Sequence, residues 1–176
     1  LFVATVVVLP AVASAAPSFQ EKPGALPMPG CGGQGCWTNY TRLTDIDNDG
    51  DLDILFPNAN GFGNTQGNPE PFVIYRNEGN FTFVNVSAEA VGNFAGFLRQ
   101  VATADVNGDG FVDLYAPDAW GGVNKFFVND GTGKFIDEAA SRLPDVQSHA
   151  GATRFGDVDN DGDLDLLVGD DYSGAG

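Results

Sequence analysis

The sequence is poor in basic residues, cysteine and histidine, and each scarcity argues against a class of function. Only 8 of the 176 residues are Lys or Arg, against 24 Asp or Glu, and the formal net charge is −16. A chain with this charge repels phosphate backbones and anionic membrane surfaces, so we expect no nucleic-acid partner. Two cysteines and the single His149 cannot complete a four-ligand zinc site.

The sequence also lacks the short motifs that mark common active sites. We find no nucleophile elbow, P-loop, zinc-protease helix or dinucleotide-binding glycine pattern. Aspartate pairs can serve as glycosidase acid and base, but the aspartates of this chain recur in a pattern with a better explanation, given below. We therefore expect this chain not to be an enzyme.

The composition indicates a folded chain with many turns. Hydrophobic residues make up 43% of the sequence and aromatic residues 11%, which is enough to build a core. The 24 glycines and 10 prolines follow no collagen-like period. Such a chain favours an all-β fold with tight turns over a helical bundle.

The first 16 residues predict export. They are apolar and end in Ala13-Ser14-Ala15, a small-residue cleavage pattern typical of a secretory signal. The stretch is shorter than the roughly 20 residues of a membrane-spanning helix, and it contains Pro10. It has no initiator Met, so we expect a signal peptide truncated at its N-terminus, an extracellular protein, secreted or at the cell surface, and no transmembrane segment in the mature part.

Residues 17–36 are rich in proline and glycine and predict a flexible spacer that leads into the folded part, residues 37–176. Cys31 and Cys36 lie at its end. In an exported chain we expect a local disulfide between them. A pair of free cysteines is the alternative.

A nine-residue acidic pattern, D-x-[DN]-x-D-G-x-x-D, occurs three times, beginning at Asp45, Asp105 and Asp157. A second element, Asn-x-Gly, follows at Asn77 and at Asn129, and each copy precedes the next acidic pattern by 28 residues. The difference in repeat length therefore falls in one connection, residues 58–71, which we interpret as a surface loop.

Each repeat predicts four short strands, placed in the second repeat at residues 99–104, 112–116, 125–128 and 134–137. Helix is expected only as single turns at 87–90 or 138–141. Four strands per repeat are typical of a β-propeller blade. The chain should hold about two complete blades and part of a third, and we expect the remaining blades in a longer, full-length protein.

The acidic loops predict calcium sites. Neighbouring carboxylates repel one another and need a cation if the loops are compact, and oxygen-only ligands in a flexible ring suit Ca²⁺ better than Mg²⁺. Solvated Asp-Gly turns are the alternative, but three copies in matching register disfavour it. An EF-hand is excluded because position 12 is Phe56, Ala116 or Val168 rather than Glu.

We assign side-chain oxygens at positions 1, 3, 5 and 9, a backbone carbonyl at position 7, and Gly at position 6 for the sharp turn. The candidate ligands of the three predicted sites are Asp45, Asp47, Asp49, Asp51 and Asp53; Asp105, Asn107, Asp109, Phe111 and Asp113; and Asp157, Asp159, Asp161, Asp163 and Asp165.

These loops, each between two strands and followed by Tyr75-Arg76-Asn77-Glu78-Gly79 or its counterpart, resemble the FG-GAP/VCBS repeats of integrin-α-like propellers. Phe155-Gly156 resembles the Phe-Gly signature of that family. The resemblance implies a propeller, commonly of seven blades, with calcium between the first and second strands of a blade. It also implies an exported or cell-surface protein.

Aromatic residues mark the connections between second and third strands, which should lie on the face opposite the calcium loops. Phe62, Trp120 and Tyr172 stand there among small and polar neighbours. They suit stacking on sugars or contact with a protein. The alternative is that they cover the glycine-rich blade edge.

Together these features predict a calcium-binding extracellular recognition or adhesion module whose partner is a protein or a glycan. The alternative is an accessory, non-catalytic propeller domain of a secreted hydrolase or other extracellular enzyme.

Overall fold

The computed structural model describes residues 6–8, 20–27, 36–62, 65–144 and 149–170, and these residues form an all-β structure built from antiparallel sheets. Two sheets have four strands in simple sequential order, and a further hairpin repeats their first two strands. We call them the first blade, the second blade and the third hairpin. This architecture confirms the predicted fold class of four-stranded propeller blades.

The first blade contains β3 (Arg42–Thr44), β4 (Asp53–Phe56), β8 (Val73–Asn77) and β9 (Phe83–Asn85). The second contains β11 (Ala102–Ala104), β12 (Asp113–Ala116), β13 (Lys125–Asn129) and β14 (Phe135–Asp137). The third hairpin pairs β15 (Ala150–Gly156) with β16 (Asp165–Asp170). All four strands predicted for the second blade are present, within three residues of their expected starts.

Among the described residues, six shorter strands pair outside the blades: β1 (Val6–Val8) with β2 (Gln20–Lys22), β5 (Gly61–Phe62) with β6 (Thr65–Gln66), and β7 (Glu70–Pro71) with β10 (Ala95–Gly96). Three of them, β5, β6 and β7, lie in the connection at 58–71 that the sequence predicts as a plain surface loop. The connection is long enough to satisfy part of its backbone by pairing with itself and with β10.

The central strands of each blade are buried on both faces, and alternate residues of such a strand enter different cores. In β4, Leu55 packs between the first and second blades, whereas Ile54 faces the opposite side. In β13, Phe127 joins the core between the blades, and Phe126 packs towards the third hairpin. This explains why the central strands are apolar in sequence without polar alternation.

Among the described residues, two single-turn helices follow the fourth strands of the blades, α1 (Ser87–Val91) and α2 (Ala139–Arg142), where helical turns are predicted. Ala90 and Val91 enter the core between the first and second blades. Helix α1 ends at Val91 and is capped by Gly92, whose φ of +65° suits glycine. Within the described residues, neither helix has the length and apolarity needed to cross a membrane.

Part of the segment predicted as a spacer packs on the first blade. Leu26 and Cys36 contact the apolar face formed by Ile54, Val73 and Tyr75, and the Tyr75 hydroxyl donates to the Pro27 carbonyl. Cys36 is in a disulfide, while Cys31 lies outside the described residues, as do most of residues 1–16. The signal peptide, the domain boundaries and the pairing of Cys31 with Cys36 therefore stay predictions.

Candidate metal centre

The three acidic loops occupy the same place in the fold, between the first and second strands of a blade. In each, the residue that precedes the loop pairs across the sheet with the ninth loop residue. These pairs are Thr44 with Asp53, Ala104 with Asp113, and Gly156 with Asp165. The sequence repeat is therefore a structural repeat with one register.

The first aspartate of each loop organises the backbone around its carboxylate. Asp45 accepts hydrogen bonds from the N–H groups of Asp49, at 3.2 Å, and of Gly50, at 2.9 Å. The equivalent bonds are present in the other two loops. Gly at position 6 has φ of +93°, +91° and +96° in the three loops, which confirms the predicted need for glycine there.

The fifth position closes the turn. Asp49 accepts a hydrogen bond from the N–H of residue 51 at 2.8 Å, and the equivalent distances in the second and third loops are both 2.9 Å. The seventh residue, Asp51, Phe111 or Asp163, is held by this bond to its N–H. No described contact tests the predicted metal-binding role of its carbonyl.

Carboxylates converge in the first and third loops. Oxygens of Asp45, Asp47 and Asp49 lie within 4.8 Å of one another, as do oxygens of Asp157, Asp159 and Asp165. In the first loop, Asp47 Oδ1 is buried without a hydrogen-bond partner. Burial and the neighbouring Asp49 raise the pKa of Asp47. A cluster of carboxylates containing an unsatisfied buried oxygen fits a hard cation.

Within the part of the chain that the structure describes, one basic side chain reaches the first cluster. Arg76, in β8 of the same blade, places Nε 3.8 Å from Asp47 Oδ2 and 2.7 Å from Glu78 Oε1. The corresponding residue of the second blade is Val128. The sequence does not predict this role of Arg76, because no local feature indicates that β8 lies beside the loop.

The second loop does not form such a three-carboxylate cluster. Its third position is Asn107, whose Nδ2 donates to Asp109 Oδ2 at 2.9 Å and whose Oδ1 accepts from the Asp109 N–H at 3.0 Å. Asp105 already accepts three backbone N–H groups. This loop thus satisfies more of its own oxygens than the other two.

The ninth position has a structural role that the sequence analysis did not predict. Asp53 is fully buried and accepts hydrogen bonds from the Ile46 N–H, at 2.8 Å, and the Asn77 N–H, at 2.7 Å. Asp113 makes the same pair of bonds, to Val106 and Asn129. Burial raises the pKa of Asp53 to about 6 and raises that of Asp113. These carboxylates join the loop to the third strand of its blade.

The ninth residue of the third loop differs. Asp165 accepts the Val158 N–H at 3.0 Å but is exposed, and it belongs to the carboxylate cluster of that loop. Of the predicted aspartate side-chain ligands, Asp53 and Asp161 lie outside the two clusters found among the described residues, as do Asp105, Asp109 and Asp113 of the second loop.

The predicted aromatic face is described only at Trp120. Its ring packs edge-on against the ring of Phe97, with the two ring centroids 6.5 Å apart. Its Nε1 is buried without a hydrogen-bond partner. The side chain of Phe62 and all of Tyr172 lie outside the described residues. A ligand-binding role for these aromatic residues stays a prediction.

A family model described as an FG-GAP-like repeat matches the chain twice, over residues 45–116 and 118–168. The chain belongs to the FG-GAP-like repeat family. The first FG-GAP-like match begins at the first aspartate of the first acidic loop and includes the second loop, and the second match includes the third loop. The resemblance inferred from the sequence is therefore confirmed. No curated protein matches the chain.

Proposed function

We propose that these FG-GAP-like repeats form a calcium-binding recognition module of an extracellular protein. The observation that carries the proposal is the first acidic loop, where three carboxylates converge around a buried Asp47 oxygen that has no hydrogen-bond partner. Membership of the FG-GAP-like repeat family supports the extracellular, propeller-type role.

Asp45, Asp47 and Asp49 would hold the ion in the first loop, and Asp157, Asp159 and Asp165 would hold it in the third. Two carboxylates about 4 Å apart repel each other by about 1 to 4 kcal/mol, depending on the effective dielectric. A bound divalent cation reverses this repulsion. Calcium suits several flexible carboxylates better than magnesium, which demands octahedral geometry and keeps its water.

We further propose a binding role rather than catalysis, with an extracellular protein or a glycan as partner. In both blades the acidic loop adjoins one end of the second strand, and the connection to the third strand adjoins the other end. Calcium would therefore stabilise one face of the module and leave the opposite face, near Trp120, for the partner.

Calorimetric titration and thermal melting test the calcium proposal. Extracellular calcium modules bind with Kd of about 10⁻⁴ to 10⁻³ M. At 5 mM calcium and a Kd of about 10⁻⁴ M, each site adds about 2.3 kcal/mol of stability. For a chain of this size that corresponds to a Tm increase of about 5 to 9 °C per site.

The double variant Asp45→Asn, Asp157→Asn is the matched negative control, because each substitution keeps the size and shape of the side chain and removes its charge. We expect this double variant to lose most of the calcium response, and magnesium to give much less stabilisation than calcium. Identical melting curves in calcium and in excess chelator would refute the metal assignment. Glycan-array binding and pull-down from extracellular fluid, each with calcium and with chelator, test the proposed partner classes.

A further inference from the structure

Asn129, in the repeated Asn-x-Gly element, connects two successive acidic loops. Its backbone N–H donates to Asp113 of its own blade at 2.9 Å. Its side-chain Nδ2 donates to the carbonyl of Val112, at 3.2 Å, and to the carbonyl of Ile46, at 2.7 Å. Ile46 is the second residue of the first loop, so one buried side chain of the second blade holds the acidic loop of the first.

The turn that follows Asn129 also packs against the first loop. Gly133 has φ of +79°, and a Cβ placed there would lie 3.4 Å from Ile46 Cγ1 and 3.5 Å from Asp47 Cβ. A Cβ there would thus be in van der Waals contact with the first loop, and the positive φ favours glycine at this position. The corresponding residue of the first blade is Phe81, which is exposed and has φ of +60°. In the second blade, the position that faces the first acidic loop is therefore occupied by a small residue, Gly133.

A second hydrogen bond joins the two loops at the surface. Asn48, at position 4 of the first loop, donates from Nδ2 to the Gly110 carbonyl of the second loop at 2.9 Å. The fourth residue has a positive φ in all three loops: +58° at Asn48, +74° at Gly108 and +61° at Asn160. Replacing Asn48 with glycine therefore removes this bond without straining the backbone.

We propose that the first metal site is built by two blades: Asn129, Gly133 and Gly110 of the second blade position the first loop, so calcium binding there is coupled to docking of the blades. This inference rests on the proposed calcium function. Because Asn129 also holds the second loop through Asp113, the coupling extends from one loop to the next along the array. Asn129 is a positioning residue, since it acts on the loop backbone and on no ligand oxygen of that loop.

Site-resolved NMR titration of the full chain with calcium tests the coupling. The N–H groups of Gly50, Gly110 and Gly162 each donate to the first carboxylate of their own loop, at 2.9, 2.8 and 3.1 Å. Their amide shifts therefore report calcium at each loop separately. The third loop serves as an internal control within every variant.

We expect Asn48→Gly to weaken calcium binding at Gly50 by about two- to tenfold, the value of one hydrogen bond, and to leave binding at Gly162 unchanged. Asn160→Gly is the matched control, because it makes the same change at the same position of the third loop. Asn129→Ala should weaken the first site further than Asn48→Gly. If Asn129→Ala fails to fold, Asn48→Gly still decides the question, because the Asn48 side chain is exposed and its removal leaves the core intact.

Linkage requires the reverse effect as well. Calcium should slow hydrogen exchange at the Gly133 amide, which donates to Asn129 Oδ1 at 3.2 Å, and it should not do so in Asp45→Asn. An unchanged first site in folded Asn48→Gly and Asn129→Ala would overturn the coupling. Equal weakening of the first and third sites in either variant would overturn it too, because that result indicates general destabilisation. A chain in which neither Gly50 nor Gly162 responds to calcium would refute the metal proposal itself.

Discussion

The second residue of each acidic loop offers a quantitative test of how the loops pack. These residues are Ile46, Val106 and Val158, and all are apolar in sequence. Ile46 is 1% exposed and belongs to the core between the first and second blades. Val106 is partly buried against the core between the second blade and the third hairpin, and Val158 is 70% exposed. The loops are alike in sequence, but their second residues differ in burial.

Truncation of each of these residues to alanine should therefore cost a different amount of stability. Replacing a fully buried Ile with Ala typically costs 2 to 5 kcal/mol, and we expect about 3 kcal/mol for Ile46→Ala. The exposed Val158→Ala should stay within about 0.5 kcal/mol of the unaltered chain. Val106→Ala should fall between them, at about 1 kcal/mol. At about 2 to 4 °C per kcal/mol for a chain of this size, Ile46→Ala should lower Tm by about 6 to 12 °C.

Urea unfolding in excess chelator measures these costs without a contribution from metal binding. Circular dichroism and tryptophan fluorescence should be followed together, because coincident transitions are needed before a free energy is assigned to a chain of several blades. Ile46→Val is the conservative control and should cost about 0.5 to 1.5 kcal/mol. Equal losses for Ile46→Ala and Val158→Ala would refute the packing of the first loop between the blades.

Three further predictions concern charge. Asn107→Asp should complete a carboxylate cluster in the second loop, and site-resolved titration should then show that this loop binds calcium about tenfold more tightly. An unchanged calcium affinity would mean that loop geometry outweighs charge. Arg76→Gln removes the cation 3.8 Å from Asp47 Oδ2 and should strengthen the first site about fivefold in the same titration, leaving the third unchanged. Burial raises the pKa of Glu70 above its usual 4.5, so the folded chain binds the proton of the Glu70 carboxyl group more tightly than the unfolded chain does. The folded chain therefore loses stability as pH rises above 4.5. Glu70→Gln should therefore have a higher Tm than the unaltered chain at pH 7 and an equal Tm at pH 3, and a lower Tm at pH 7 would contradict this.

The blades and the acidic loops could be predicted because their determinants are local. The position 1 carboxylate bonds to residues four and five places along the chain, and the glycine at position 6 supplies the positive φ that the turn requires. Both features depend only on spacing, which the sequence displays directly. The same holds for the central strands, where an apolar run such as residues 54–56 packs into cores on both faces of the sheet.

The roles of Asp53 and Asn129 could not be predicted, because they depend on contacts between distant parts of the chain. Asp53 bonds to the backbone of Asn77, and Asp113 bonds to that of Asn129. The first pair is 24 residues apart and the second 16, so no fixed spacing reveals the bond. The Asn129 contact with Ile46 spans 83 residues and two blades. The repetition of Asn-x-Gly was the available signal, although it did not indicate a partner.

The contrast between the first and third loops shows that aspartates at the same loop position can have different surroundings. Both loops carry five aspartates. In the first, Asp53 is buried, has its pKa raised to about 6 and uses its oxygens to hold Ile46 and Asn77. In the third, Asp165 is exposed and joins the metal cluster. Asp53 is thus buried where the third strand of its blade is described, whereas the third hairpin has only its first two strands among the described residues. We therefore expect Asp165 to hold the backbone of a third strand, as Asp53 and Asp113 do, where such a strand pairs with β16.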